Sequence, residues 1–121
     1  MKQIPFEKIN QSTNDYRAFD GDICYNEGSV YMFLQTYHNM NNVIVFSTDY
    51  TKPRDLIKTV LKFIKTLYVK HGIDYISVYN EHRNGWSILK HFKAFQDKDP
   101  NQYYCKISEN MEKLNEILER Q

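Results

Sequence analysis

The chain has 121 residues, a formal net charge of +1, and 41% hydrophobic against 26% charged residues. This length predicts one domain with a single core, and this balance of residues excludes a disordered chain. The near-neutral charge disfavours a nucleic-acid-binding protein, because phosphate recognition needs a clustered excess of Lys and Arg.

No segment has the composition of a targeting or membrane sequence. Residues 1–17 lack the apolar run of a signal peptide, and no stretch reaches the length of a membrane span. We therefore expect a protein that is neither secreted nor membrane-bound. Cys24 and Cys105 fall in predicted strands without the spacing of a zinc site, so we expect reduced core thiols and no metal.

The first half of the chain predicts an arm followed by a meander of strands. Residues 1–20 are polar and irregular, with Pro5 and the run NQSTND, and we predict an N-terminal arm there and one domain over residues 21–121. The runs DICYN, VYMFLQTY and VIVFST then predict three antiparallel strands joined by turns at NEGS and HNMNN.

The segment TKPRD begins the helix that the pattern predicts most clearly. Thr51 or Lys52 stands at its N-cap, Pro53 fits its first turn, and Gly72 ends it. Apolar residues at spacings of three and four form one buried stripe, and lysines form the solvent face. The stripe comprises Leu56, Ile57, Val60, Leu61, Ile64, Leu67 and Tyr68, and the solvent face comprises Lys58, Lys62 and Lys65.

The second half predicts two more strands and two more helices. Residues 73–79 form a strand, which completes a right-handed strand–helix–strand crossover. A second helix begins at Asn84 or Gly85 and carries apolar residues as far as Phe95. QYYCKIS predicts another strand, and a short amphipathic helix follows from Glu109. The fold class is therefore α/β (α+β), a mixed sheet of about five strands with helices packed on it.

From about Ile44 to Ile107 the order of elements resembles the GNAT acyltransferase fold. In that family the loop after a central strand holds the pyrophosphate of coenzyme A, and a later helix begins with an asparagine and carries a tyrosine that acts as general acid. This chain has STDYTKPRDL at the first position and keeps Asn84 at the second, where His91 replaces the tyrosine.

The resemblance implies site residues if the chain is an acetyl-CoA-dependent N-acyltransferase. Lys52 and Arg54 would then face the phosphates, Asn84 the rest of the cofactor, and His91 or Tyr79 would be the general acid. The loop departs from the family pattern, however, because it has no glycine, contains Pro53 and adds the carboxylates of two aspartates. We therefore expect a non-catalytic domain without a cofactor.

The lysine-rich helix, the strand DYISVYN and the segment NGWSILKHF are similar to small GNAT-like proteins of bacteriophages, including internal virion proteins. This resemblance implies a virion or accessory component, located in the virion or the host cytoplasm, that binds another virion protein or itself. The arm and the terminal helix are the candidate binding segments. An N-acyltransferase and a mobile-element inhibitor of a host factor remain the two alternatives.

Overall fold

A mixed β-sheet runs through the part of the protein that the computed structural model describes, residues 1–36, 41–79, 94–96 and 102–120. Within these residues the sheet has seven strands in the order β1-β2-β3-β4-β5-β7-β6, and three helices accompany it. The strands are β1 (Lys2–Ile4), β2 (Ile23–Glu27), β3 (Val30–Gln35), β4 (Asn42–Ser47), β5 (Tyr75–Tyr79), β6 (Ala94–Gln96) and β7 (Gln102–Lys106). The helices are α1 (Phe6–Ser12), α2 (Pro53–His71) and α3 (Ile107–Glu119). The predicted mixed class is confirmed, with β1 and β6 as strands beyond the expected five.

The predicted meander forms three antiparallel strands of the sheet. Strands β2, β3 and β4 pair in sequence, with Cys24 opposite Phe33 and Phe33 opposite Ile44. Gly28 lies in the turn between β2 and β3 with φ of +58°, a conformation that favours glycine because it has no Cβ. Alternation along each strand sends side chains to both faces, so the sheet needs a cover on each side.

Helix α2 begins and ends where its sequence predicts. Lys52 is the N-cap residue, so Pro53 occupies the first helical position, where no intrahelical acceptor exists for a backbone N–H. Gly72 ends the helix in the left-handed conformation with φ of +69°. Its N–H donates to the Tyr68 carbonyl at 3.2 Å, and Ile73 donates to the Leu67 carbonyl at 2.9 Å, which satisfies the last carbonyls of the helix.

The larger core lies on the sheet face that α2 and α3 cover. Both helices contact each other, and their apolar stripes pack on side chains from β2 to β5 and β7. Its fully buried members include Met32, Leu34, Leu61, Phe63, Leu67, Ile76, Val78, Ile107 and Leu114. Burial of this many large apolar side chains provides the main favourable term in the free energy of folding.

Asp74 fixes the start of α3 from a distant part of the chain. The Asp74 carbonyl accepts a hydrogen bond from Ile107 N at 2.7 Å, and its carboxylate accepts two from Ser108, at 2.8 Å from the amide and 3.0 Å from the hydroxyl. Amides of the first helical turn need such acceptors. The helix therefore begins at Ile107, two residues before the predicted start, and β7 ends at Lys106, two residues before the end of the predicted strand QYYCKIS.

Residues 1–20 are not an irregular arm, because they build a second core on the other face of the sheet. β1 pairs with β2, and α1 places Ile9 in full burial beside Ala18, Cys24 and Phe33. The side chain of Asn10 holds the following segment by accepting from Ala18 N at 2.8 Å and donating to its carbonyl at 3.0 Å. These apolar residues are irregularly spaced, so no period in the sequence reveals their burial.

The predicted second helix does not extend to Phe95. Ala94–Gln96 forms β6, which pairs with β7 and sets Phe95 opposite Tyr104. Backbone pairing along the edge of β7 overrides the helical spacing of the apolar residues there. The rest of this predicted helix, including its start at Asn84 or Gly85, lies outside the described residues.

Replacement of Ile9 by alanine tests whether α1 belongs to the core. We expect Ile9→Ala to lower the free energy of unfolding by about 2–5 kcal/mol, because it leaves a cavity against Phe33. The control is Lys8→Ala on the exposed side of the same helix, which should change stability by less than about 0.5 kcal/mol. Urea unfolding followed by circular dichroism gives both values, and equal midpoints for the two variants would contradict the packing.

Candidate functional site

A cleft of about 450 Å³ lies where the start of α2 meets the turn between β2 and β3. It is lined by residues 27–30, residues 50–52, Asp55 and Thr59. The cleft follows the end of β4, which is where α/β folds commonly bind ligands. It is therefore a candidate ligand-binding site.

Three hydroxyl groups at this cleft, those of Ser29, Ser47 and Thr51, form hydrogen bonds with one another. Thr51 Oγ1 lies 3.2 Å from Ser29 Oγ and 3.0 Å from Ser47 Oγ, and Ser47 Oγ lies 3.4 Å from Ser29 Oγ. Ser47 also donates to the carbonyl oxygen of Asp49, and Thr48 N donates to the Ser29 carbonyl at 2.9 Å. These bonds tie the loop after β4 to the β2–β3 turn, so the hydroxyls already have partners within the protein.

Glu27 adds a carboxylate to the lining of the cleft. It accepts a hydrogen bond from Thr59 Oγ1 at 2.8 Å, and Lys62 Nζ and the amino group of Met1 lie 3.4 and 3.3 Å from its oxygens. Partial burial alone would raise the pKa of Glu27, but these three partners outweigh burial and hold the pKa below its ordinary value of 4.5. Glu27 is therefore a carboxylate at neutral pH.

The two residues predicted to face phosphates occupy different positions at the start of α2. Lys52 lines the cleft, whereas Arg54 is exposed in the first helical turn and does not line it. Asp55 joins Glu27 in the cleft lining, so Lys52 faces two carboxylates there. Pro53 has no N–H to offer a ligand. The balance of charge and donors at this helix start is unfavourable for a pyrophosphate.

The remaining predicted site residues are only partly described. Tyr79 is the last residue of β5, and its backbone pairs opposite Gln102. The structure does not describe the side chain of Tyr79. Asn84 and His91 both fall in the segment that the structure does not describe. The described residues therefore place Lys52 in the cleft without joining it to the predicted general acids.

A group of polar side chains that the sequence did not single out joins β4 to β5. In the described strands the parallel pair has one register position, Asn42 opposite Ser77. Asn42 Oδ1 accepts from Ser77 Oγ at 3.1 Å and from Gln102 Nε2 at 3.4 Å. Asn41 Nδ2 donates to the Tyr75 carbonyl at 3.0 Å, and Asn41 O accepts from Ser77 N at 2.7 Å.

Beyond that contact β4 and β5 have no paired residues across their described C-terminal halves. Ser77 and Gln102 are buried, so a polar residue within the apolar run of β5 was the signal that marked this joint. The asparagines were hidden in a segment whose composition predicts a turn. Among the described residues, the side chains of Asn42 and Ser77 therefore join the two parallel strands at their one register pair.

Tyr25 and His71 form a second polar contact, between β2 and the last residue of α2. The Tyr25 hydroxyl lies 2.9 Å from His71 Nε2, and the two rings meet edge to face with centroids 5.9 Å apart. Burial and the nearby Lys70 ammonium lower the pKa of His71 below its ordinary 6.5. The imidazole is therefore neutral near pH 7.

Neither thiol has the chemistry of a nucleophile. Cys24 and Cys105 are free and buried. Burial, with Asp22 and Glu7 nearby, raises the pKa of Cys24 to about 12, and burial with Asp74 and Glu109 raises the pKa of Cys105 to about 11. A thiol acts as a nucleophile through its thiolate form, which is scarce at neutral pH for both groups.

No cluster of three or more His, Cys, Asp or Glu side chains in the described ranges could hold a metal ion. Helices long and apolar enough to cross a membrane are likewise absent from that part of the chain.

No family model matches the chain, and neither a curated protein nor a solved structure matches it.

The lowered pKa values of Glu27 and His71 predict two pH windows of stability loss. A group whose pKa is lower in the folded state stabilises that state above its unfolded pKa, and the contribution is lost as pH falls through the folded value. Stability should therefore fall first below about pH 6.5 through His71 and again below about pH 4.5 through Glu27.

Urea unfolding between about pH 8 and pH 3 checks this assignment. We expect Glu27→Gln to remove the lower window and leave the upper one, and His71→Gln to do the reverse, so each variant is the control for the other. A lower window that persists unchanged in Glu27→Gln would show that another carboxyl group causes it.

Proposed function

We propose that this chain is a non-catalytic GNAT-like domain that works by binding another protein. The crossover from β4 through α2 to the neighbouring parallel strand β5 supports the comparison with that fold. The cleft at the start of α2 supports the absence of the family's usual cofactor.

The observation that carries the proposal is the state of the cleft at the start of α2. A phosphate-binding loop offers unpaired backbone N–H groups and a surplus of positive charge. In this cleft Thr51 and its neighbouring hydroxyls are bonded to one another, Pro53 lacks an N–H, and Glu27 and Asp55 supply negative charge. A pyrophosphate would meet carboxylates and would gain few new hydrogen bonds.

An exposed aromatic side chain at the cleft supports contact with a protein instead. Tyr50 lines the cleft and is 81% exposed, the largest exposure among the described large hydrophobic residues. Tyrosine is enriched among residues that dominate binding energy in protein interfaces. With Glu27 and Asp55 beside it, this surface favours a partner segment that carries a basic side chain.

The resemblance to small phage proteins supplies the place of this function. We propose that the partner is another protein of a bacteriophage particle and that the chain is a virion or accessory component, in the virion or the host cytoplasm.

An acetyl-CoA-dependent N-acyltransferase is the second candidate, and one observation favours it. Among the described residues the parallel strands β4 and β5 have a single register pair, Asn42 and Ser77, so the backbone groups beyond it are not held in a continuous ladder. Backbone groups that a ladder does not pair are available to a bound molecule. This candidate also needs His91 or Tyr79 as general acid and Asn84 toward the cofactor, as the resemblance implies.

Isothermal titration calorimetry with acetyl-CoA separates the two candidates. We expect no saturable heat up to about 1 mM ligand, because the carboxylates of the cleft repel phosphates. Saturable binding in the micromolar range would instead support the acyltransferase, provided that Lys52→Ala weakens it and Lys8→Ala on α1, which packs on the other face of the sheet, does not. Equal weakening by both variants would show binding away from the cleft.

The composition of purified phage particles tests the virion role. We expect mass spectrometry to find the wild-type chain at a fixed copy number per particle. Tyr50→Ala should lower that number because it removes the exposed aromatic anchor. Phe19→Ala, which truncates another exposed aromatic residue outside the cleft, is the control and should retain the wild-type copy number. Absence of the wild-type chain from particles would reject the virion role and favour an inhibitor of a host factor.

A further inference from the structure

The solvent face of α2 is a basic stripe. Lys58, Lys62 and Lys65 recur at spacings of four and three, and Val69 continues the stripe with 67% exposure. Lys58, Lys65 and Val69 lie opposite the buried side of the helix, whereas the ammonium of Lys62 reaches Glu27 of β2. Over its length α2 has five Lys and Arg side chains and a single carboxylate.

The solvent face of α3 is the acidic counterpart. Glu109, Glu112, Glu116 and Glu119 recur at spacings of three and four, opposite the side that buries Leu114. In the whole helix Lys113 is the only residue of opposite charge. The charges of the chain nearly cancel in total, yet on these two helices they are separated by sign.

Most of these charges have no ion-pair partner among the described residues. Lys62 pairs with Glu27 at 3.4 Å, and Glu116 pairs with Lys113 at 3.9 Å and with Arg120. No such pair within 4 Å involves Lys58, Lys65 or the other three glutamates of the stripe in the described part of the chain. The two helices therefore carry charges of opposite sign, at similar spacings along each helix, that the described ion pairs do not use.

Both stripes lie on the same side of the molecule. The helices α2 and α3 contact each other and cover one face of the sheet, so a basic stripe runs beside an acidic stripe on one surface. A two-fold rotation about an axis along the groove between the helices would set α2 of one copy on α3 of the other. The surface is thus complementary to itself, which is the requirement for a two-fold interface.

We propose that this helical surface binds a second copy of the chain, with Lys58 and Lys65 of one copy facing Glu112 and Glu119 of the other. Each such contact occurs twice by symmetry. Exposed ion pairs contribute little individually and are screened by salt, so the dimer is weak and forms best at low ionic strength. Charge complementarity sets the orientation of the two copies more than the strength of their association.

Analytical ultracentrifugation of the full chain tests the dimer. We expect the wild type to dimerise reversibly at about 0.05 M salt and the dissociation constant to rise at least about tenfold at about 0.5 M salt. Lys58→Glu/Lys65→Glu should be monomeric because the contact positions on both α2 and α3 are then acidic. Glu112→Lys/Glu119→Lys should be monomeric because the contact positions on both helices are then basic.

Mixing the two charge-reversed variants provides the decisive measurement. The acidic contact positions on α2 of one variant then face the basic contact positions on α3 of the other, and the remaining wild-type helices also match, so a heterodimer should form from two monomers. Recovery of association in the mixture also shows that both variants are folded. The two variants also attract each other through their opposite net charges, so the result that supports the interface is a discrete complex of one copy of each and not association of varying size.

Matched controls make equal charge changes away from both helices. Lys2→Glu/Lys8→Glu and Glu7→Lys/Asp20→Lys alter exposed residues on β1, α1 and the segment after it. Both should dimerise like the wild type.

Three outcomes overturn the proposal: a wild type that is monomeric at about 1 mM chain and about 0.05 M salt, charge-reversed variants that dimerise like the wild type, or a mixture that stays monomeric. Acetyl-CoA binding and particle composition are separate measurements, so either proposal can fail without the other.

Discussion

The packing of α2 on the sheet is the interaction on which the rest of the structure depends. Leu61, Phe63 and Leu67 are fully buried on one side of this helix, and they contact side chains from strands on both sides of the crossover. Because α2 connects β4 to β5 in parallel, its burial also determines which strands can be neighbours. The helix thereby fixes the position of the cleft at its start and the lysine stripe on its outer side.

The second core explains why the sheet tolerates so many apolar residues on its other face. Tyr16 and Tyr31 stack on Phe46 with ring centroids 5.9 and 5.4 Å away, and α1 covers the adjacent Phe33. Without residues 1–20 these aromatic side chains would face water across β3 and β4, which is a large apolar patch for a small protein. The N-terminal segment therefore contributes to the stability of the meander, although its composition is typical of a loop.

The sequence predicted those features that depend on local chemistry. Pro53, the apolar stripe of α2 and Gly72 each act within a few residues of their position, so the bounds of that helix could be predicted. The start of α3 could not be predicted, since its acceptor is Asp74, far away in the chain. For the same reason the sequence did not single out Glu27, whose contact with Thr59 of α2 depends on tertiary structure.

The edge formed by β1 has a consequence for how copies of this protein can meet. This outermost strand is only three residues long and is followed at once by Pro5, which has no N–H to extend a ladder of backbone bonds. A short edge strand that ends at a proline resists the edge-to-edge pairing of sheets that produces fibrils. The molecule can therefore be concentrated with little tendency for this border to template an amyloid-like stack.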